Sequence, residues 1–387
     1  MKAVILAAGR GTRMLPLTVT MSKGMIPVAN RPLLGWTCSF LDFCDEIILV
    51  VNESQRDIIA NFLNNSKVKL VFQEQALGTG HALLCAEQHV EGKFLLVYGD
   101  DIYGESDIKA ISEMEPPVVS SYKSGNPEAY GVLEIDNNQV IGLEEKPQHP
   151  KSNLVNCGVY LLDSSIFGTL KKIPVSPRGE YELTEAVKIL IEEDKVKNYT
   201  IKTWIPLTYP WNILDANRYI LDKYGSNIDK SVELRQGAVI EEPVSIGAGS
   251  VIGPNCYVRK YSSIGRNCKV GQAVEIKNSI VMDNSFVSHL AYVGDTIIGR
   301  GCNVGGGTLF TNLRLDDKNV KMEINEARVD SGRRKLGAVV GDNVKLGARV
   351  TVMPGKRIWP GILVPACHNV EEDIKTEIPL SNFRKKE

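Results

Sequence analysis

The chain has 387 residues, is 43% hydrophobic and 24% charged, and carries a formal net charge of -1. That length gives room for two or three domains, and near-neutrality argues against a nucleic-acid or membrane-surface partner. No apolar run approaches the roughly 18 residues of a spanning helix, and Met1 leads into strand-like sequence instead of a signal peptide, so a cytoplasmic protein acting on small molecules is expected.

In chain order, the first half alternates. VILAA, EIILVV, VKLVFQ and FLLVYGD read as strands, separated by helix-length segments at 33–43, 54–63 and 81–91. Such alternation predicts an α/β domain, Rossmann-like, with a mostly parallel sheet covered on both faces and ligands at the carboxyl ends of its strands. Gly9 to Thr12 and Gly99 to Asp101 fall at such ends. Beyond Ile102 the pattern becomes mixed, with hairpin-like stretches at 130–145 and 154–162 and helices at 183–193 and 211–224, placing a domain boundary near Gly225 (domains 1–225 and 226–387).

The tail follows a different rule. Aliphatic residues recur every six positions from Ile228 through Leu234, Ile240, Ile246, Ile252, Val258, Ile264 and Val270 to Ile276, and again from Val340 to Val370, several followed by Gly. A fixed period of six signals a parallel β-helix of the left-handed hexapeptide kind. Leu313 to Lys335 interrupts it with charged sequence, an insertion expected to loop out on one face and serve binding. None of the eight cysteines forms a CxxC pair. Cys256, Cys268 and Cys302 each lie four residues after a hexad aliphatic, where Ser250 and Ser262 also sit, as small residues filling a tight corner. The terminal NFRKKE is read as solvated.

KAVILAAGRGTRM runs a strand into a glycine turn whose backbone N–H groups suit a triphosphate, with Arg13 and Lys23 as counter-charges. It is neither GxGxxG nor a Walker loop. LAAGRGTRMLPLT, KGMIPVANRPLL, QALGTGHAL, YGDD, EEKP and NCGVY, in that order, resemble the sugar-1-phosphate nucleotidylyltransferases across the whole first domain. The resemblance implies that Ala7, Gly9, Gly11, Thr12, Arg13, Lys23 and Tyr98 hold the nucleotide, UTP, and that Gln73, Gly78 and Thr79 select its base. It further implies Mg²⁺ on Asp100 and Asn212, where many members carry Asp, and sugar-phosphate contacts from Tyr130, Gly131, Glu145, Lys146, Asn156 and Thr184. Arg13, Lys23 and Asp100 are then the catalytic set, offsetting the repulsion of two polyanions. Ser22 and Arg31 replace the usual Pro and Lys, which leaves the segment aiming Lys23 less rigid.

In the tail, VEIKNS, SHLAYVGD, GCNVGGGT and LFTNLR, with Arg259 of YVRKYS before them, resemble the acetyltransferase half of the bifunctional glucosamine-1-phosphate acetyltransferase and N-acetylglucosamine-1-phosphate uridylyltransferases. By that resemblance His289 is the general base that takes the amine proton. Arg259, Lys277, Tyr292 and Asn303 hold the amino-sugar phosphate, and Gly306 and Asn312 meet acetyl-CoA. Leu313 stands where bacterial members have Tyr, and the 313–335 insertion is of archaeal type. The expected protein is a bifunctional homotrimer with acetyl sites between subunits and small-molecule substrates. Two rivals are a single-function thymidylyl- or uridylyltransferase whose tail only assembles the oligomer, and a non-catalytic regulatory subunit.

Overall fold

The computed structural model describes residues 1–53, 66–177, 179–193 and 196–376. Its packing falls into two compact units, Met1–Arg10 with Leu33–Pro206, and Gly11–Pro32 with Leu207–Glu387. The expected helix at 54–63 and the NFRKKE terminus lie outside the described residues. No helix among the described residues is long and apolar enough to cross a membrane.

Before residue 207 the strands are β1 (Lys2–Leu6), β2 (Pro27–Val28), β3 (Arg31–Pro32), β4 (Glu46–Asn52), β5 (Val68–Gln73), β6 (Lys93–Tyr98), β7 (Asp101–Tyr103), β8 (Val118–Lys123), β9 (Gly131–Asp136), β10 (Gln139–Glu145), β11 (Leu154–Asp163), β12 (Lys197–Thr200) and β13 (Trp204–Pro206). Nine of them form one sheet in the order β5-β4-β1-β6-β11-β8-β12-β10-β9. The first four pair in parallel, as alternation with helices requires, and Ala3, Val4 and Ile5 of β1 are buried on both faces. From β11 onward the sheet is mixed: β11 runs antiparallel to β6 and β8, β12 pairs in parallel with β8, and β10 runs antiparallel to β12 and β9. Asn137 and Asn138, both at positive φ, turn β9 directly into β10.

The helices are α1 (Leu33–Phe40), α2 (Thr79–Leu84), α3 (Glu105–Ser112), α4 (Ile166–Leu170), α5 (Leu183–Glu193) and α6 (Asn212–Tyr224). The apolar 81–91 segment is not one helix. Past Leu84 its bonding tightens to three-residue spacing, with Ala86 N–H donating to Leu83 and His89 N–H to Ala86. Leu83, Ala86, Phe94, Tyr160, Phe167 and Leu183 meet in one apolar core.

From Asn227 onward, three parallel sheets of seven strands each stack as the faces of a left-handed β-helix. Nearly every strand is two residues long, and on most rungs the second residue points inward. Lys269, Phe286 and Asn303 are outward while Val270, Val287 and Val304 are buried. The hexad thus builds one continuous aliphatic core and an outward column on each face. The corner residues are small and tied to the next turn. Ser250 Oγ donates to Gly265 O at 2.7 Å, Cys268 Sγ to Met282 O at 3.3 Å and Cys302 Sγ to Gly341 O at 3.2 Å. All eight cysteines are free thiols, and burial pushes the Cys302 thiol up to about 12.

Two turns of the coil are one residue short. Val258 pairs with Ile276, 18 residues on, but Ile264 pairs with Val281 and Ile276 with Val293, each 17 on. The missing residues come from two stacked corners, Lys277–Ser279 and Gly294–Thr296, where Asn278 and Asp295 take positive φ. The hexad therefore continues through 281–310 with a shifted phase. The 313–335 insertion begins and ends on a bridge between Leu313 and Lys335. Inside it Lys321–Ile324 and Ala327–Asp330 form a hairpin that buries Val320, Met322 and Ile324.

Candidate functional site

In the first unit the parallel strands deliver two adjacent chain ends. Leu6 and Tyr98 are register partners, and Ala7 and Gly99 follow them, with Ala7 N–H donating to Val50 O and Gly99 N–H to Leu6 O. Asp100 therefore stands half-buried at the carboxyl edge. The neighbouring Asp101 is buried and accepts the Trp204 indole N–H at 2.9 Å. Of the two carboxylates in YGDD, one is committed to the fold.

Gln73 ends β5, and its Nε2 donates to Gly78 O at 3.1 Å and lies 2.9 Å from His81 Nδ1. That fixes a loop in which Gly78 has φ +101 and a Cβ would sit 2.6 Å from Tyr181 O. Only glycine fits there. Thr79 and Tyr160 hydrogen-bond the Tyr98 hydroxyl, which burial pushes up to about 12, and Asn156 Nδ2 donates to Tyr160 Oη at 2.6 Å. A polar chain thus runs from the expected nucleotide residues (Thr79, Tyr98) to an expected sugar residue (Asn156).

The other sugar residues gather on the β9–β10 hairpin and beside it. Gly131 and Glu145 are register partners, Lys146 N–H donates to Tyr130 O at 3.0 Å, and Lys146 Nζ lies 3.6 Å from Glu145 Oε1. The Tyr130 ring meets Trp204 edge-on with centroids 5.0 Å apart. Thr184, at the start of α5, has a buried Oγ1 with no hydrogen-bond partner among the described residues.

The remaining nucleotide residues lie in the second unit. Gly11, at φ +64, precedes a single 3-10 turn of Thr12, Arg13 and Met14. A Cβ on Gly11 would lie 3.3 Å from Lys23 Cβ, so Lys23 borders the glycine turn, and Arg13 and Thr12 are exposed. Asn212 opens α6, and its Oδ1 accepts the Tyr209 N–H at 2.9 Å.

In the coil, a cleft of about 380 Å³ is lined by Lys269, Phe286, Ser288, His289 and Asn303. His289 makes no side-chain hydrogen bond among the described residues. Gly306 passes so close that a Cβ there would lie 2.9 Å from His289 Nε2. At the next corner of the coil the two short turns draw together a second cluster. Asp295, with its side chain 6% exposed, receives Lys277 Nζ at 3.1 Å, Asn278 Nδ2 at 2.7 Å and Asn312 Nδ2 at 2.5 Å. Asn312 Nδ2 also donates to Tyr292 Oη at 3.1 Å. Arg259 is held by Glu275 at 3.2 Å and Glu241 at 3.6 Å. The structure therefore groups His289 and Asn303, with Gly306 beside His289, and gathers Lys277, Tyr292 and Asn312 about Asp295; Arg259 lies between two carboxylates, one of which, Glu275, is the register partner of Tyr292.

The model described as "Nucleotidyl transferase" matches residues 2–222. The chain belongs to that family. The C-terminal coil of this nucleotidyl transferase matches the model described as "GMPPB C-terminal domain" over residues 240–358. The chain is 43% identical to the bifunctional protein GlmU of Methanocaldococcus jannaschii over 97% of its length and 96% of that protein. It is 38% identical to the bifunctional sugar-1-phosphate nucleotidylyltransferase/acetyltransferase of Sulfurisphaera tokodaii, over 94% of its length and 97% of that protein. A crystal structure from Bacillus anthracis, described as a glucose-1-phosphate thymidylyltransferase with sucrose, is 26% identical and superposes with a TM-score of 0.53, covering 57% of this chain and 96% of that one.

Sequence reasoning missed three residues of this nucleotidyl transferase that organise the sites. Asp295 is the acceptor on which the polar tail cluster converges, and its signal was the five-residue step from Val293 to Ile298. Trp204 and Asp101 support Tyr130, and nothing local marks that pairing.

Proposed function

We infer that the chain is a bifunctional enzyme of UDP-N-acetylhexosamine synthesis. The coil, 226–387, moves acetyl from acetyl-CoA to the amine of glucosamine-1-phosphate or of galactosamine-1-phosphate. The first domain, 1–225, then joins the N-acetylated sugar phosphate to UMP from UTP and releases pyrophosphate. The observation that carries this reading is the pairing of His289 with the Gly306 backbone in an open cleft, in a chain related over 97% of its length to a protein named bifunctional.

In the coil, the amine attacks the thioester carbonyl as His289 takes its proton, general-base help worth roughly 10² to 10⁴ in rate. The Gly306 N–H faces the oxygen that gains charge, and the CoA thiolate leaves. Lys277 and Arg259 supply charge for the sugar phosphate, Tyr292 and Asn303 meet the sugar, and Asn312 adjoins the thioester. In the first domain the attacker is already an anionic phosphate oxygen, so no strong base is required. Arg13 and Lys23 spread the charge of the triphosphate, Gln73, Gly78 and Thr79 border the base, and Tyr130, Glu145, Lys146, Asn156 and Thr184 take the sugar phosphate.

Asp100 and Asn212 are oxygen donors of the kind Mg²⁺ accepts, and one or two protein ligands with waters suffice. The Asn212 oxygen keeps one lone pair beyond its bond to Tyr209. Bound there, Mg²⁺ would neutralise charge on the transferred phosphoryl group. Exposed Phe286 and Leu290 beside His289, with Leu309 and Leu313 exposed further along the coil, support a homotrimer that covers the acetyl site with a second copy. UTP and acetyl-CoA as co-substrates place the work in the cytoplasm.

The test is thiol release from acetyl-CoA with each amine, alongside pyrophosphate release from UTP. His289→Ala abolishes only the first activity and Asp100→Ala only the second. Loss of both from either change, or no acceptor-dependent thiol from the wild type, overturns the bifunctional reading.

A further inference from the structure

The glycine turn with Arg13 and Lys23 belongs, by its packing, with the β-helix. Several contacts tie it there, among them Asn30 Nδ2 to Ile264 O at 2.7 Å and Arg357 NH1 to Leu15 O at 3.4 Å, and one set reaches back to the glycine turn itself. Thr18 Oγ1 donates to Gly11 O at 2.8 Å, bracing the glycine turn from the segment that follows it. Two residues on, Thr20 Oγ1 donates to Asp342 Oδ2 of the coil at 2.8 Å, and Arg300 NH2 donates to Thr20 O at 3.2 Å. Arg300 and Asp342 are themselves clamped. Arg300 N–H donates to Oδ1 at 2.7 Å, and its Nε and NH2 donate to Oδ2 at 2.9 and 2.6 Å.

The coil contains the same clamp twice more. On Arg357 and Asp373, N–H donates to Oδ1 at 2.8 Å and Nε and NH2 reach Oδ2 at 2.8 and 2.6 Å, and Arg357 NH1 donates to Leu15 O at 3.4 Å. On Arg266 and Asp283, N–H donates to Oδ1 at 2.8 Å and Nε and NH2 to Oδ2 at 3.0 and 2.9 Å. That copy touches nothing in 11–32 among the described residues, and its arginine is 70% exposed. The Arg300 copy holds an aspartate that is only 4% exposed and spends its remaining hydrogen-bonding capacity on Thr20. A doubly donated, desolvated carboxylate is a rigid, charged acceptor, and hydrogen bonds to it are stronger than neutral ones. The identical geometry without a loop on Arg266 shows that the coil does not need Thr20 to form the clamp.

We propose that Arg300 and Asp342 are positioning residues for nucleotidyl transfer: through Thr20 and Thr18 the acetyltransferase coil sets the glycine turn that receives the triphosphate. This rests on the nucleotidylyltransferase reading of the first domain. The replacement of the usual proline by Ser22, one residue before Lys23, leaves the segment short of local stiffness, and the clamp supplies it from outside.

The experiment uses the full chain carrying Thr20→Val, Thr20→Ser, Asp342→Asn or Asp283→Asn, with pyrophosphate release, thiol release and amide hydrogen exchange at residues 11–20 measured on each. Thr20→Val and Asp342→Asn should raise the KM for UTP about tenfold, equivalent to about 1.4 kcal/mol, and quicken exchange at 11–20. Thiol release should stay as in the wild type. Thr20→Ser restores the hydroxyl and with it the KM, and Asp283→Asn changes neither readout. An unchanged KM and exchange in Thr20→Val overturns the proposal, as does a parallel fall of both activities in Asp342→Asn, which would make the clamp a general support of the coil. A wild type that releases no pyrophosphate defeats the reading of the first domain instead, and the exchange at 11–20 then still decides whether Thr20 holds the turn.

Discussion

Asp295 shows how a single buried carboxylate organises a charged site. Lys277, with a side chain 20% exposed, and Asn312 both reach it, so the ammonium is held in place, and the Asn312 amide is aimed at the Tyr292 hydroxyl. Burial raises the Tyr292 hydroxyl above its usual range, partly offset by Asn312, so Tyr292 stays a neutral donor at physiological pH. Removing the charge of Asp295 frees both neighbours and leaves donors unsatisfied, at a cost of about 1–3 kcal/mol. Asp295→Asn is therefore expected to raise the KM for glucosamine-1-phosphate in acetyl transfer by roughly tenfold or more while pyrophosphate release is unaffected. An unaltered KM would show that the cluster lies outside the acceptor site. Lys277, Tyr292 and Asn312 were legible through the resemblance of their motifs to an acetyltransferase family, whereas Asp295 reads locally as one more acidic corner residue.

At the scale of elements, the shortened corners are what gathers the polar cluster on Asp295. A coil built only from 18-residue turns stacks equivalent positions in straight columns. Taking one residue from each of two stacked corners pulls Asn278 and Asp295 inward at positive φ and lets Lys277 cross to the next turn. Inserting one glycine after Asn278 restores the six-residue step used by the flanking turns. That variant is expected to keep the coil folded, with a thermal midpoint within a few degrees of the wild type, and to lose roughly 100-fold in acetyl transfer through misplacement alone. Retained acetyl transfer would separate the corner from the chemistry. The strands of the first unit were legible because β1, β4, β5 and β6 are apolar runs. Strands β8 and β12 were not, because Val118–Lys123 and Lys197–Thr200 are short and half polar, and only their neighbours in the sheet make them strands.

For the whole molecule, the cleft at His289 is open on one side and bordered by Phe286, which is 40% exposed, with Leu290, 65% exposed, at the same corner. Apolar side chains flanking His289, the general base under the proposed function, leave water in contact with it until another surface covers them. Sedimentation is therefore expected to give a particle of about three times 42.6 kDa, and Leu290→Glu to give single chains that release pyrophosphate from UTP but no thiol from acetyl-CoA. A single chain with full acetyl transfer would show that the site is complete within one copy.

The sequence by itself determined the period of the coil, its inward aliphatics at 228–276 and 340–370, and the glycine turn with Arg13 and Lys23 near it. These follow from geometry that repeats over a few residues, so spacing alone expresses them. Only the tertiary structure decided which aspartate of YGDD is buried on Trp204, which corner residue gathers Lys277 and Asn312, and that Thr20 meets Asp342 across 322 residues of chain. Contacts of that separation are chosen by how desolvated charges and small residues fit against distant backbone, and no local pattern encodes the partner.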